Sequence, residues 1–402
     1  MDLATTGIII GIVAGVVTIG GGAIWIANRF RNHRTPATEE TLREIDTKLG
    51  RIAEYFDGLP QAPPEIRDPF KQGMEHKEKY EYAEATRLFR QALAQGPTGS
   101  QKAALLLLIG NCFLEQSELE EAEGHYKEAE AAAIEADDQE ALATTYNNIG
   151  EVHRGRGDYD RALESYHKSL KIREEIGDRT GLAPTYNNIG EIHGARGDYD
   201  QALEWHHKSL KISEEMGDRA GLAATYNNIG GVYDSRGDYD QALDWYMKSI
   251  KITKKIGHKA GLAASYNNIG GIYQERGDLD QALDWYHKSL KIREEIGNRA
   301  ALATIYNNIG GVYDSRGDYD QALEWFMKGL KMSEQIGDRA GLATTYNNIG
   351  GVYACRGDYH QALDFVQRAL AMFEQIGAKD KARQVKENIA AIKAKGQKRS
   401  KK

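Results

Sequence analysis

Along most of the chain, apolar residues recur three and four positions apart, the spacing of helices that each bury one side. In residues 143–182, Tyr146, Ile149, Gly150 and His153 share one face. Ala162, Leu163, Tyr166, Leu170 and Ile172 contribute to a broader apolar face on a second helix. The unit therefore predicts two helices, and it repeats: the string YNNIG begins at Tyr146, Tyr186, Tyr226, Tyr266, Tyr306 and Tyr346, every 40 residues. A stacked array grows one unit at a time, so the length of 402 residues counts repeats more than globular domains.

The punctuation between helices is equally regular. Gly157 is placed to take the left-handed conformation that ends the first helix. Asp158 is placed to cap the second, supported in later copies by a Gln three residues on, as with Asp198 and Gln201. The recurring Arg-Gly-Asp is thus a turn rather than an adhesion signal. Gly217 and Asp218 do the same between units. Pro184 conflicts with a helix starting at Asp178 and predicts a kink or a later start. Pairs four apart, Glu204 with Lys208 and Asp244 with Lys248, mark the solvated side.

The N-terminal region reads differently. Residues 7–27 are uncharged and mostly apolar, long enough at about 1.5 Å per residue to cross a hydrocarbon core of about 30 Å. Arg29, Arg31 and Arg34 follow, which predicts a single-pass membrane protein with its repeats facing the cytoplasm. Gly7, Gly11 and Gly15 share a face on which two such helices could pair. Leu42, Ile45, Leu49, Ile52 and Phe56 give residues 38–57 the stripe of an amphipathic helix or short coiled coil. Prolines 60, 63, 64 and 69 suggest a linker, placed at 58–65. At the other end, Val385, Ile389 and Ile392 predict a capping helix over 383–394, followed by a basic tail, 395–402.

Composition adds limits. With 41% hydrophobic and 28% charged residues and a net charge of −7, the chain fits a folded helical protein. Cys112 and Cys355 lie far apart without a CxxC companion, so neither a disulfide framework nor a zinc site is suggested. His206 and His207 are adjacent, a spacing that does not put both on one helical face to share a metal. No phosphate loop, HExxH or GxSxG stands in a suitable setting, and no carboxylate pair departs from cap and surface positions. The reading is therefore not an enzyme, with no cofactor, no metal and no nucleic-acid partner. Trp205, Trp245, Trp285 and Trp325, one per repeat on the second helix, read as packing residues rather than stacking platforms.

Tyr146, Ile149, Gly150, His153, Ala162 and Tyr166 fall on a known pattern of a large residue, Leu-Gly, Tyr, Ala and Phe. The chain resembles the tetratricopeptide repeat family, most closely the 40-residue, long-helix subgroup of kinesin light chains and LGN-type adaptors. Six near-identical units span 143–382. Residues 103–142 match through Ile109, Gly110, Phe113, Ala122 and Tyr126, and 66–99 through Gly73, Ala85, Phe89 and Pro97, giving about eight repeats over 66–382. The resemblance implies an all-α, right-handed superhelical solenoid of helix-turn-helix units, here with an N-terminal transmembrane helix. The units lack the proline that usually closes such a repeat, and Gly stands in for it.

On the first helix, Asn147 and Asn148 and their copies at 187, 188, 227, 228, 267, 268, 307, 308, 347 and 348 point away from the tyrosine face. In a tetratricopeptide superhelix that side lines the concave groove. The resemblance therefore implies rows formed by Asn147, Asn148, Asn187, Asn188, Asn227, Asn228, Asn267, Asn268, Asn307, Asn308, Asn347 and Asn348, able to satisfy the N–H and C=O groups of an extended peptide. Two readings remain open: amides that grip a ligand, or amides bonded to one another that fix the array. Glu151 and Glu191 precede Gly231, Gly271, Gly311 and Gly351 at the equivalent position, so the groove should pass from acidic to open, with Asp234 and Asp314 adding charge. The expected function is a membrane-anchored scaffold binding an extended segment of a partner protein with Lys or Arg near one end. The alternative is a homo-oligomeric assembler.

Overall fold

The computed structural model describes residues 62–400 except 80 and 98. Its described residues form 17 helices and no strands. In chain order they are α1 (Pro64–Glu78), α2 (Tyr82–Leu93), α3 (Ser100–Glu115), α4 (Leu119–Glu135), α5 (Gln139–Gly155) and α6 (Tyr159–Ile176). Then come α7 (Arg179–Ala195), α8 (Tyr199–Met216), α9 (Arg219–Ser235), α10 (Tyr239–Lys255), α11 (Lys259–Glu275) and α12 (Leu279–Ile296). The last are α13 (Arg299–Arg316), α14 (Tyr319–Ile336), α15 (Arg339–Arg356), α16 (Tyr359–Gln375) and α17 (Lys379–Ser400). They fall into two compact units, one ending at Cys112 and including His125–Leu142, the other comprising Phe113–Gly124 and everything from Ala143.

The N-terminal expectations need correction. The apolar stretch 7–27 and the stripe 38–57 lie outside the described residues. Among the described residues no helix is long and apolar enough to cross a membrane. The most apolar candidate, α3 with its run Leu105–Leu108, has 16 residues and buries that run in protein. A single-pass protein with repeats facing the cytoplasm is therefore not supported. The proline-marked linker also ends earlier than expected. Pro64 opens α1, where its missing N–H costs nothing, and Pro69 lies inside the same helix. At the far end, α17 stays helical to Ser400, through most of the expected tail.

Each repeat is held by one packing event. The large residue of the second helix lays its ring on a glycine of the first: a Cβ built on Gly230 would lie 2.6 Å from Tyr246, and one on Gly310 2.7 Å from Phe326. Any side chain larger than hydrogen would push the helices apart. Gly150 with Tyr166 and Gly270 with Tyr286 repeat the arrangement, and in the first unit Gly110 with Tyr126 and Gly73 with Phe89. Around each ring a small cluster closes, as where Ala242, Tyr246, Ile250, Ile269 and Ile272 join α9, α10 and α11. Each fully buried aromatic contributes about 2 kcal/mol or more.

The caps divide unevenly. Before the first helices, Asp178, Asp218, Asn298 and Asp338 accept from the N–H three residues on at 2.8–3.0 Å. Before the second helices the bond is 3.2–3.4 Å for Asp238, Asp278 and Asp358 and absent for Asp158. Gly217, at φ 67°, ends α8 in the left-handed conformation. α7 starts at Arg179 and runs through Pro184, whose ring is on the exposed side, so the later start is not adopted.

An ion-pair ladder ties the turns together. The Arg of each Arg-Gly-Asp reaches back 36 residues: Arg196 to Asp160, Arg236 to Asp200 at 3.3 Å, Arg276 to Asp240 at 2.5 Å, Arg316 to Asp280 and Arg356 to Asp320 at 2.9 Å. The Asp side chains are 85–92% exposed, so each rung adds at most about 1 kcal/mol and the ladder chiefly sets spacing.

Two repeats depart from the rule: the last lays Val366 on Gly350, 2.6 Å from its built Cβ, and another uses a histidine. His206, 1% exposed, occupies the slot of Tyr166 and Tyr246, its Nδ1 3.0 Å from Asn187 Oδ1. Burial, then the neighbouring His207, pushes the imidazole down to about 4. An unfolded histidine titrates near 6.5, so the stability this neutral ring supports is complete above that pH. It is lost as pH falls from 6.5 toward 4, on the order of 3 kcal/mol in all. His206→Tyr, which restores the common residue, should raise Tm, and more at pH 5 than at pH 7.5, by circular dichroism. An equal shift at both pH values would contradict the titration account.

Candidate functional site

In the second unit each second helix packs against its own first helix and the next one, and successive first helices also touch: α7 with α9, α9 with α11, α11 with α13, α13 with α15. The layer whose members meet one another lies on the inside of the curve. The first helices thus line the concave face, and their tyrosines turn to the other side. Tyr186, Tyr226, Tyr266 and Tyr306 stack on Trp205, Trp245, Trp285 and Trp325 at centroid distances of 5.3–5.8 Å. Lys208, Lys248, Lys288 and Lys328 cover the indoles at 3.5–4.0 Å. The tryptophans are packing residues with occupied faces.

All twelve paired asparagines from Asn147 to Asn348 are half-buried. The first of each pair binds the next repeat: Asn187 donates to Thr225 Oγ1 at 3.1 Å and Asn307 to Thr345 Oγ1 at 2.8 Å. Asn227 donates to Ser249 Oγ and accepts from Ser265 Oγ, both at 3.0 Å. Ile305 holds the position of that hydroxyl beyond Asn267, which instead donates to Asn268 at 3.4 Å. The second asparagine reaches the preceding repeat: Asn188 Nδ2 to Asn147 Oδ1 at 3.0 Å, Asn308 to Asn267 at 2.7 Å, and Asn228 to Glu191 at 3.4 Å. In α17, Asn388 closes the series on Asn347 at 3.1 Å. The first asparagines are committed to this inter-repeat ladder. Of the second, Asn188, Asn228 and Asn308 each give one N–H to it, and Asn268 accepts from Asn267.

Charge is unevenly compensated along this face. Arg154 holds Glu151 and lies 3.6 Å from Glu191, and Tyr166 Oη donates to Glu151 at 2.6 Å, so one guanidinium offsets part of the charge of the two carboxylates. Burial, opposed by Arg154, raises the Glu191 carboxyl. Asp234 and Asp314 carry no ion pair among the described residues. Burial and then Glu275 push Asp234 up to about 6, burial alone raises Asp314, and Asp314 Oδ1 is buried without a hydrogen-bond partner. Charge with no such offset therefore lies at Asp234, Glu275 and Asp314.

Sequence reasoning missed the second-helix tyrosines. Their rings cross the glycine and bring the hydroxyl into the concave face: Tyr286 Oη donates to Gln274 Oε1 at 3.0 Å, and Tyr246 Oη lies 3.8 Å from a Cβ built on Gly231. The signal was present in the tyrosines recurring at 166, 246 and 286 behind a glycine. Gly351 has nothing within 4 Å of a built Cβ, so the floor there is bare.

A tetratricopeptide repeat profile matches residues 101–175, 141–215, 181–255, 261–335 and 330–375. The chain belongs to the tetratricopeptide repeat family. No curated protein matches this tetratricopeptide repeat chain. Among solved structures, the apo form of RapI is 18% identical with a TM-score of 0.53, covering 68% of this chain and 98% of its own. A Rap protein complexed with Competence and Sporulation Factor is 15% identical with a TM-score of 0.52, covering 84% and 99%. BtubC from P. vanneervenii is 23% identical with a TM-score of 0.43, covering 56% and 91%. At these identities the likeness is one of fold.

The two asparagine rows should separate on mutation. Asn227→Ala removes two hydrogen bonds to the fully buried Ser249 and Ser265 hydroxyls, which keep the Ala223 and Gly261 carbonyls, and should cost about 1–3 kcal/mol. Asn228→Ala, which loses only a 3.4 Å bond, should cost under about 1 kcal/mol. Urea denaturation of the two variants checks this; equal losses would contradict the division.

Proposed function

We propose that this tetratricopeptide repeat chain is a scaffold that holds an extended segment of a partner protein along the concave face of its first helices, without performing chemistry itself. One observation carries the reading. Beyond Arg154, the first helices carry carboxylates at Asp234 and Asp314 with no ion pair among the described residues, Asp314 Oδ1 and Asn307 Oδ1 are buried without a hydrogen-bond partner, and Gly231, Gly271, Gly311 and Gly351 recur beside them. Amide acceptors suit the N–H groups of any extended backbone, and desolvated carboxylates without a partner suit Lys or Arg side chains.

End-to-end assembly is less well supported. The ion-pair ladder ends at His360, which stands where earlier repeats carry the acceptor Asp, and Gly396 stands where the next Arg would be. α17 packs over α16, with Gly396 against Tyr359 and Ile392 buried, so the last repeat offers no rung to a second copy.

Binding of a fluorescein-labelled alternating Gly-Lys peptide, followed by fluorescence anisotropy, should weaken roughly tenfold in Asp314→Asn and in Asp234→Asn, about 1.4 kcal/mol each. Because the cation needs Asp234 ionised, affinity should be full above pH 6 and fall as the pH drops through about 6. Affinity that is unchanged by both substitutions, or that rises on acidification, would overturn the charge reading.

A further inference from the structure

The second unit comes back upon itself. The turns after its second helices are mostly surrounded by open space: nothing lies within 4 Å of a Cβ built on Gly177, Gly217, Gly257 or Gly297. The last two differ. A Cβ on Gly337 would lie 3.7 Å from Gln116 Oε1, and one on Gly377 would lie 3.6 Å from Glu120 Oε1 and 3.9 Å from Arg156 Cγ. From the other side, the Asp380 carboxylate sits against Gly157, 2.6 Å from its built Cβ, while Gly197, Gly237, Gly277 and Gly317 again face open space. Gln116, Glu120, Arg156 and Gly157 at the start of the unit thus meet Gly337, Gly377 and Asp380 at its end, each contact joining residues more than 200 positions apart in sequence.

The chemistry of this meeting is unlike the apolar packing inside a repeat. The glycine turns there face polar side chains, and among the described residues the apolar cluster at the end of the unit includes no residue of its start. Arg156 is the charged centre: it pairs with Glu123 and, at 3.5 Å, with Glu120, while its Nε is buried without a partner. Asp380, roughly half exposed, also accepts from Arg383 at 3.1 Å. Contacts between partly exposed charged and polar groups are individually weak and weaken further with salt. The apolar contacts within each repeat are several times stronger, so the two ends can part while the repeats stay folded.

We propose that these contacts are a polar clasp whose opening admits a partner segment to the concave face. The proposal rests on the peptide-groove reading for its function, but not for its geometry. While the clasp is shut, a segment in the middle of a partner chain has no side entrance and a free end must thread. Once it is open, the groove is reached from the side. Asp380 sets the balance because its carboxylate lies against Gly157, the neighbour of Arg156 in the chain.

The test uses the full chain carrying Cys355→Ser, Glu121→Cys and Lys379→Cys, all at exposed positions, spin-labelled for distance measurement by pulsed electron resonance. The expected result is a short-distance population at 20 mM salt that shifts to longer distances at 1 M salt, and in Asp380→Lys even at low salt. Circular dichroism melting of Asp380→Lys should match the parent within a few degrees, showing that the repeats remain folded. A single distance distribution, unmoved by salt and by Asp380→Lys, overturns the clasp. For the gating role, the same cysteines are joined by a short bismaleimide, and association of the fluorescein-labelled Gly-Lys peptide is timed. The joined form should bind at least tenfold more slowly, and Asp380→Lys faster than the parent. Equal rates overturn gating while leaving the groove in place. No binding in any form, with the distances still responding to salt, removes the groove reading and the gating role together.

Discussion

The whole array depends on a ring laid over a glycine. Where Tyr246 covers Gly230, there is no space even for a methyl group, so the separation of the two helices in a repeat is fixed by van der Waals contact. That separation decides how far the tyrosine reaches, and its hydroxyl emerges on the concave side. Core packing and groove chemistry are therefore carried by the same side chain. The glycine that weakens the first helix by about 1 kcal/mol is required by the closer approach it permits.

Around this contact, weaker interactions set how one repeat follows another. The asparagine and hydroxyl bonds on the inside and the exposed Arg–Asp rungs at the turns contribute little each. They recur in most copies, and so fix curvature and spacing more than stability. The polar meeting of Gln116, Glu120, Arg156 and Gly157 with Gly337, Gly377 and Asp380 belongs to the same class of interaction. Its weakness makes it suited to change while the aromatic contacts hold. Charge follows a similar division: Arg154 offsets part of the charge of the first acidic positions, and the later carboxylates are left for something outside the chain.

Much of this was legible in the sequence. The 40-residue period, two helices per unit, the glycine turns and the opposed faces of tyrosine and asparagine follow from spacing within one repeat. What spacing within a repeat does not show is pairing between repeats. The Arg196–Asp160 rung, the Asn227 clamp on Ser249 and Ser265, and the approach of Arg154 to Glu191 all join residues from different copies. Their partners depend on how the copies stack. The asparagines were left between two readings; the structure bonds members of both rows across repeats, as Asn187 to Thr225 and Asn188 to Asn147. The membrane expectation came from residues outside the described region, and the helices of that region do not extend it.

The central claim is that a partner's extended segment occupies the concave face. A photo-cross-linking amino acid at position 271, on the groove floor, and separately at position 248, on the tryptophan side, tests it most directly, with mass spectrometry of the captured segment. The account predicts capture from position 271 alone, of an extended stretch carrying Lys or Arg. Capture from position 248 alone would place the partner on the outer surface and contradict it.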